Sequence, residues 1–111
     1  MTYYKIKQLP KAIYDSLEIY EYLSQFYVST PKKFLNEFHG KLKKLSFSPE
    51  IYKKWPDNPI YRMFNVRRYL VFYKVDHDTK TIFIHRILNG MRDFMADIEL
   101  MEKQEFYNHK I

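Results

Sequence analysis

The chain contains no cysteine, two glycines and one tryptophan in 111 residues. The first absence excludes disulfides, cysteine-based zinc modules and cysteine nucleophiles together. Two glycines are too few for a loop that wraps nucleotide phosphates with backbone N–H groups, and no cofactor is expected. The four histidines, His39, His77, His85 and His109, lack the spacing by which one helix presents two ligands to a metal, so no metal site is expected. No apolar run approaches the length of a bilayer span, and the first residues show no secretory segment. The expectation is one cytoplasmic domain over residues 1–111 with no membrane partner.

What the chain has in quantity is rings and bases. Eleven Tyr and nine Phe join the single Trp, and 19 Lys and Arg oppose 13 Asp and Glu for a net charge of +6. The charge is uneven. Residues 31–74 hold eleven bases and three acids, a local +8, whereas residues 1–30 are balanced and residues 75–111 are slightly acidic. Bases mixed with Trp55, Tyr61, Phe64 and Tyr69 suit a phosphate backbone, and equally a solvated helix face over an aromatic core.

Hydrophobic spacing sets the order of elements. Tyr3 to Leu9 alternates like a short strand, which Pro10 ends. From Lys11 to Tyr27 the period lengthens to that of a helix, with Ala12, Ile13, Ser16, Ile19, Tyr20, Leu23, Phe26 and Tyr27 on one stripe and Asp15, Glu18 and Gln25 opposite. Ser29-Thr30-Pro31 supplies a capping hydroxyl and an N-terminal proline for a second helix. Its buried stripe is Phe34, Leu35, Phe38, Leu42 and Leu45, with Glu37 and Lys41 as an outer i,i+4 pair. Ser46 to Pro59, with three prolines and Trp55, reads as an irregular loop. Ile60 to Val66, Tyr69 to Val75 and Thr81 to Leu88 then form an antiparallel meander, and Asp93 to Gln104 a short last helix. Phe64, Phe72 and Phe83 are expected in the core. His85 alternates onto one face with Phe83 and Ile87, as a partly buried, hydrogen-bonded histidine or, alternatively, as a base. Lys74 and Arg86 lie in apolar strands, where a charge needs a partner or an open face. Asp93, Asp97 and Glu99 are the carboxylates within sequence reach of Arg86 and Arg92.

Three segments together resemble the RelE/ParE toxin superfamily, its ParE branch most closely: Tyr61-Arg62, Tyr69 to Asp76, and Ile84 to Asp93 with Arg86, Leu88, Gly90, Arg92 and Asp93. Leu70 and Asn89 depart from that pattern, standing where a base and a histidine are usual. The resemblance implies an α+β fold with an N-terminal strand, an α-helical hairpin packed on a twisted antiparallel sheet, and a short C-terminal helix. It also implies a type II toxin silenced by a cognate antitoxin. The positive charge of the chain suits a partner segment that is acidic and partly disordered until bound.

Two activities occur in the superfamily: poisoning of DNA gyrase by binding, and cleavage of mRNA at the ribosome. Cleavage needs cations at the scissile phosphate and a group that moves a proton. Arg62 and Arg92 match basic positions of the nuclease branch, but Phe64, Leu70 and Ile98 stand where it has a base, an arginine and a tyrosine. Tyr107 and His109 are the candidates for the missing acid and base. The residues therefore point to a gyrase-binding toxin of the plasmid-stabilisation kind, with Arg62, Arg67, Arg68, Lys74, Arg86 and Arg92 as its functional basic surface. A metal-independent endoribonuclease using Arg62, Arg92, His109 and Tyr107 is the alternative, and a homologue that only binds antitoxin is the second.

Overall fold

The computed structural model describes residues 3–89. It contains β1 (Lys5–Gln8), α1 (Pro10–Phe26), α2 (Thr30–Phe47), β2 (Arg62–Val66), β3 (Tyr69–Asp76) and β4 (Thr81–Asn89). The segment Asp93 to Gln104, expected as a last helix, lies outside the described residues.

Leu9 is extended and Pro10 opens α1, where its missing N–H leaves no intrahelical bond unmade. The buried residues of α1 are Ala12, Asp15, Ile19 and Leu23. This corrects the expected stripe, because Asp15 turns inward while Ile13, Phe26 and Tyr27 stay exposed. Counting apolar residues alone rotated the helix away from its true buried face. The capping hydroxyl expected from Ser29-Thr30-Pro31 is also corrected, since Thr30 is already the first residue of α2. Ser29 is in the helical region (φ −103°, ψ −19°) and makes no side-chain cap, whereas capping requires extended backbone. Phe34, Phe38, Leu42 and Leu45 are buried along α2 as expected, and Leu35 is half-buried.

The strands form one sheet in the order β1-β4-β3-β2. β2, β3 and β4 are the antiparallel meander, while β1 runs parallel to β4 with Lys5 opposite Thr81 and Gln8 opposite Ile84. The sheet is thus mixed, since the N-terminal strand enters beside the last strand of the meander. Arg67 and Arg68 turn the chain between β2 and β3, and Arg67 takes a left-handed φ of 56°. Such a conformation disfavours a side chain with a Cβ. The Arg67 N–H is held by Glu37 Oε2 at 3.1 Å.

Both faces of the sheet are covered over part of their area. On the helix side, Phe34, Phe38, Leu42 and Leu45 of α2 and Ile19 and Leu23 of α1 pack on Phe64, Val66, Tyr69, Val71, Tyr73, Ile82, Ile84 and Ile87. Phe72 alternates with Val71 and Tyr73, so it lies on the other face, where it joins Trp55, Tyr61 and Leu88. The proline-rich loop folds back over that face and buries Trp55, whose ring meets Phe72 edge-on at 5.2 Å. Phe64 and Phe72 therefore belong to different clusters, and Phe83 is only half-buried. A register shift opposite Phe72 and Tyr73, which pair with Arg86 and Ile84, makes His85 the extra residue of a β-bulge. The bulge breaks the alternation expected through Phe83, His85 and Ile87, and Ile87 joins Ile84 in the helix-side core.

Candidate functional site

The expected basic surface divides into separate environments. Arg86 is buried rather than part of an open basic surface; its side chain is 5 % exposed and it pairs with Asp15 of α1, while Asp93, Asp97 and Glu99 lie outside the described residues. Arg86 Nε donates to Asp15 Oδ2 at 2.6 Å and Nη2 to Oδ1 at 3.1 Å, a two-pronged contact, and the Ile87 N–H reaches Oδ2 at 3.0 Å. Asp15 thus satisfies a guanidinium and one backbone donor of the bulged strand, which explains why a carboxylate occupies the buried stripe of α1.

Arg62 lies at the rim of the helix-side face. Its Nη1 donates to the Tyr52 carbonyl at 2.8 Å and its Nη2 stands 3.7 Å from Glu50 Oε2. The other Glu50 oxygen meets His77 Nε2 at 2.8 Å, and His77 Nδ1 meets the Tyr4 hydroxyl at 2.7 Å. Tyr4, Glu50, Arg62 and His77 thereby link the N-terminal segment, the loop after α2, β2 and the β3–β4 turn. Beneath them, Tyr73 is fully buried and donates its hydroxyl to the Pro49 carbonyl at 3.0 Å. Burial pushes the Tyr73 hydroxyl up to about 12, against the opposing pull of the Arg62 guanidinium.

Lys74 falls on the far face, 6.0 Å from the centre of the Tyr61 ring, and burial lowers its pKa. In the adjoining turn, the Thr79 backbone N–H, with help from its side chain, holds the Asp76 carboxyl below the usual range. Arg67 and Arg68 are exposed at the β2–β3 turn, where with Tyr22, Phe26, Tyr27 and Tyr69 they line a groove of about 490 Å³. Tyr22 and Tyr69 continue into a second groove of about 380 Å³ along α1, where Lys11, Glu18, Glu21, Gln25 and Asn89 supply polar lining and the Asp15–Arg86 pair forms part of the wall. The two form a trough that is basic at one end and richer in carboxylates at the other. His85 is buried, with the Tyr61 ring edge-on at 5.1 Å, away from the trough. Arg92, Tyr107 and His109 lie outside the described residues.

Sequence reading missed Asp15 and the Tyr4–His77–Glu50 chain. The first had a signal, since Asp15 sits three residues after Ala12 and four before Ile19. The second had none, because Tyr4 and His77 are 73 positions apart. Among the described residues, no group of three or more histidines and carboxylates is placed to hold a metal ion, and no helix is long and apolar enough to cross a membrane.

A helical hairpin on a four-stranded mixed sheet is the architecture of the RelE/ParE toxins. The ParDE system of Pseudomonas aeruginosa superposes with a TM-score of 0.63 at 21 % identity, covering 78 % of this chain and 95 % of that one. The RelBE2 toxin–antitoxin complex of Mycobacterium tuberculosis gives 0.58 at 17 %, covering 79 % and 99 %. A doubly substituted Escherichia coli toxin RelE in the free state gives 0.62 at 17 %, covering 87 % and 93 %. At these identities the likeness is one of fold. Comparison with curated proteins returned no significant match. The family itself comes from the sequence model for the ParE toxin of the type II toxin–antitoxin system parDE, which matches residues 6–94. The chain belongs to the ParE toxin family.

Proposed function

We propose that this ParE-family toxin acts by binding DNA gyrase and carries out no bond chemistry of its own. The observation that carries this reading is the dispersal of its cations among the described residues. Phosphodiester cleavage without a metal needs several donors aimed at one phosphate, where charge builds in the transition state. Arg86 is instead committed to Asp15, Arg62 to Glu50 and backbone carbonyls, and Lys74 faces the other side of the sheet. The exposed Arg67 and Arg68 beside aromatic rings are suited to a protein surface, since arginine and tyrosine are the residues on which interfaces concentrate their binding energy.

In the resting module the chain is held by its cognate antitoxin, through a segment that is acidic and folds on binding. The net charge of +6 favours such a partner and steers its approach, so salt should slow association more than it speeds release. The decisive test adds purified toxin to gyrase and relaxed plasmid. Supercoiling should fall and a cleaved-DNA complex should be trapped, while transcript ends mapped after induction show no codon-linked cuts. Unchanged supercoiling with codon-linked cuts would establish the nuclease instead, and normal growth after induction would establish a homologue that only binds antitoxin.

A further inference from the structure

The outer edge of β2 is closed to strand pairing by its own backbone contacts. The Tyr61 carbonyl accepts from the Trp55 N–H at 2.8 Å, and the Met63 N–H donates to the Lys53 carbonyl at 3.1 Å. Further along, the Asn65 carbonyl accepts from the Lys41 ammonium, and the Arg67 N–H donates to Glu37 Oε2 at 3.1 Å. Lysines on an edge strand commonly serve to repel other strands. Here the backbone groups are already occupied, so that role is filled, and yet bases are concentrated along this edge.

Four of these bases are exposed: Lys53 and Lys54, which the backbone ties to Met63 and Arg62, and Arg67 and Arg68 at the turn that ends the strand. Glu37 is taken by the Arg67 backbone and by Lys41, whose ammonium lies 3.9 Å from it. Among the described residues, no carboxylate forms an ion pair with any of the four side chains. Arg67 also holds its charge at the first position of a two-residue hairpin turn with φ 56°, where glycine, asparagine or aspartate is usual. A guanidinium therefore stands there against local backbone preference. Met63 and Arg67 are four residues apart, about 13 Å along a strand. One strand of duplex DNA presents a phosphate about every 3.4 Å along its axis, so the row spans about four phosphates and offers a cation for each.

We propose that the β2 edge binds duplex DNA through its phosphates, with Lys53, Lys54, Arg67 and Arg68 as the contacts, and so holds the DNA that gyrase has engaged. A straight row of bases backed by one strand fits a polymer whose charge recurs at even intervals. Contacts to phosphates position a protein without reading sequence, which suits a toxin that meets gyrase at many places on the chromosome. Arg67 and Arg68 also border the groove lined by Tyr22, Phe26 and Tyr27, so the turn joins the DNA edge to the surface offered to gyrase. The inference rests on the gyrase reading for its setting, although duplex binding is measured without the enzyme.

The test titrates the purified full-length chain against a labelled duplex oligonucleotide of mixed sequence over a salt series. Four phosphate contacts should give a slope of log affinity against log salt of about −3.6, and either Lys53→Ala/Lys54→Ala or Arg67→Asn/Arg68→Ala should bring it to about −1.8. Asparagine is used at position 67 because it tolerates the left-handed backbone. Lys5→Ala/Lys7→Ala removes as much charge from exposed positions on β1, at the opposite edge of the sheet, and should leave the slope unchanged. A slope that falls equally in all three variants assigns binding to net charge alone and overturns the edge. Tighter binding of a single-stranded RNA of the same length overturns it as well, in favour of RNA. Trapping of the cleaved-DNA complex separates this inference from the reading beneath it. Equal trapping by the wild type and both edge variants overturns the edge and leaves the gyrase reading intact. The expected slopes in a chain that leaves supercoiling unchanged uphold the phosphate contacts and overturn the gyrase reading.

Discussion

Arg86 and Arg62 are the same residue type on the same sheet, yet their surroundings give them different work. The Arg86 side chain is 5 % exposed and meets a carboxylate through two nitrogens, whereas that of Arg62 is 18 % exposed, sits 3.7 Å from a carboxylate that is itself 56 % exposed, and relies on backbone carbonyls. Burial decides the difference. Taking a guanidinium out of water costs several kcal/mol or more, and Asp15 offsets that cost by answering Arg86 at close range while also satisfying the Ile87 N–H. The Arg62 network remains wet and contributes little to holding the fold. An arginine that matches a family motif is therefore no evidence of a contact surface until its burial is known.

Removing one member of the buried pair is the largest expected effect. Asp15→Ala should cost about 3–5 kcal/mol, read as a lower urea midpoint with an unchanged slope. That is a large part of the total stability of an ordinary domain. The double variant Asp15→Leu/Arg86→Met should recover most of the loss, because it removes both charges and fills the space with apolar groups. A loss below about 1 kcal/mol for Asp15→Ala would mean that water reaches the pair and that the two arginines differ less than their burial indicates. The same comparison bears on toxicity. An Arg86 substitution that abolishes growth inhibition should also lower the melting temperature, so it reports on folding before it reports on any target.

How far this was legible from sequence depended on the distance over which the signal acts. Helix and strand periods are local, and the hairpin, the meander and the place of each strand followed from them. The α1 stripe was misplaced by one residue because a carboxylate was assumed to face solvent, although Arg86 in an apolar strand already required a counter-charge. The parallel pairing of β1 and the bulge at His85 depend on how distant strands settle in register, which no local pattern carries. Trp55 was read as a loop residue, correctly, but a loop that covers the second face of the sheet cannot be told from one that lies in water. The contacts joining Tyr4, His77, Glu50 and Arg62 assemble only when the four segments have met.

A middle case between the two arginines is Tyr73, fully buried yet next to the Arg62 network. Its hydroxyl bond to Pro49 should be worth about 1 kcal/mol at neutral pH, the expected cost of Tyr73→Phe. The pH dependence sharpens this. The hydroxyl has a folded-state pKa raised from 10.0 to about 12, so its contribution is complete below pH 10 and is lost as the pH rises from 10 to 12. A shift of that size corresponds to about 3 kcal/mol. Denaturation at pH 8 and pH 11 should show the wild type losing more stability than Tyr73→Phe over the interval. Equal losses would place the alkaline sensitivity in other groups.

The smallest effect should come from the exposed network. Glu50→Gln keeps a group able to bond His77 Nε2 and removes only the charge that faces Arg62, so it isolates Coulomb attraction from hydrogen bonding. Attraction between partly solvated groups is weak and screened, and the expected cost is about 0.2–1 kcal/mol at low salt, vanishing near 1 M, where the screening length falls to about 3 Å. The Asp15 and Arg86 pair should respond far less to the same salt, since its side chains are only 6 % and 5 % exposed and buried pairs are screened less. Measuring Glu50→Gln and Asp15→Asn across one salt series therefore separates the two arginine environments directly. If both variants lose their effect at high salt in parallel, Arg86 is as accessible as Arg62 and belongs with the functional surface after all.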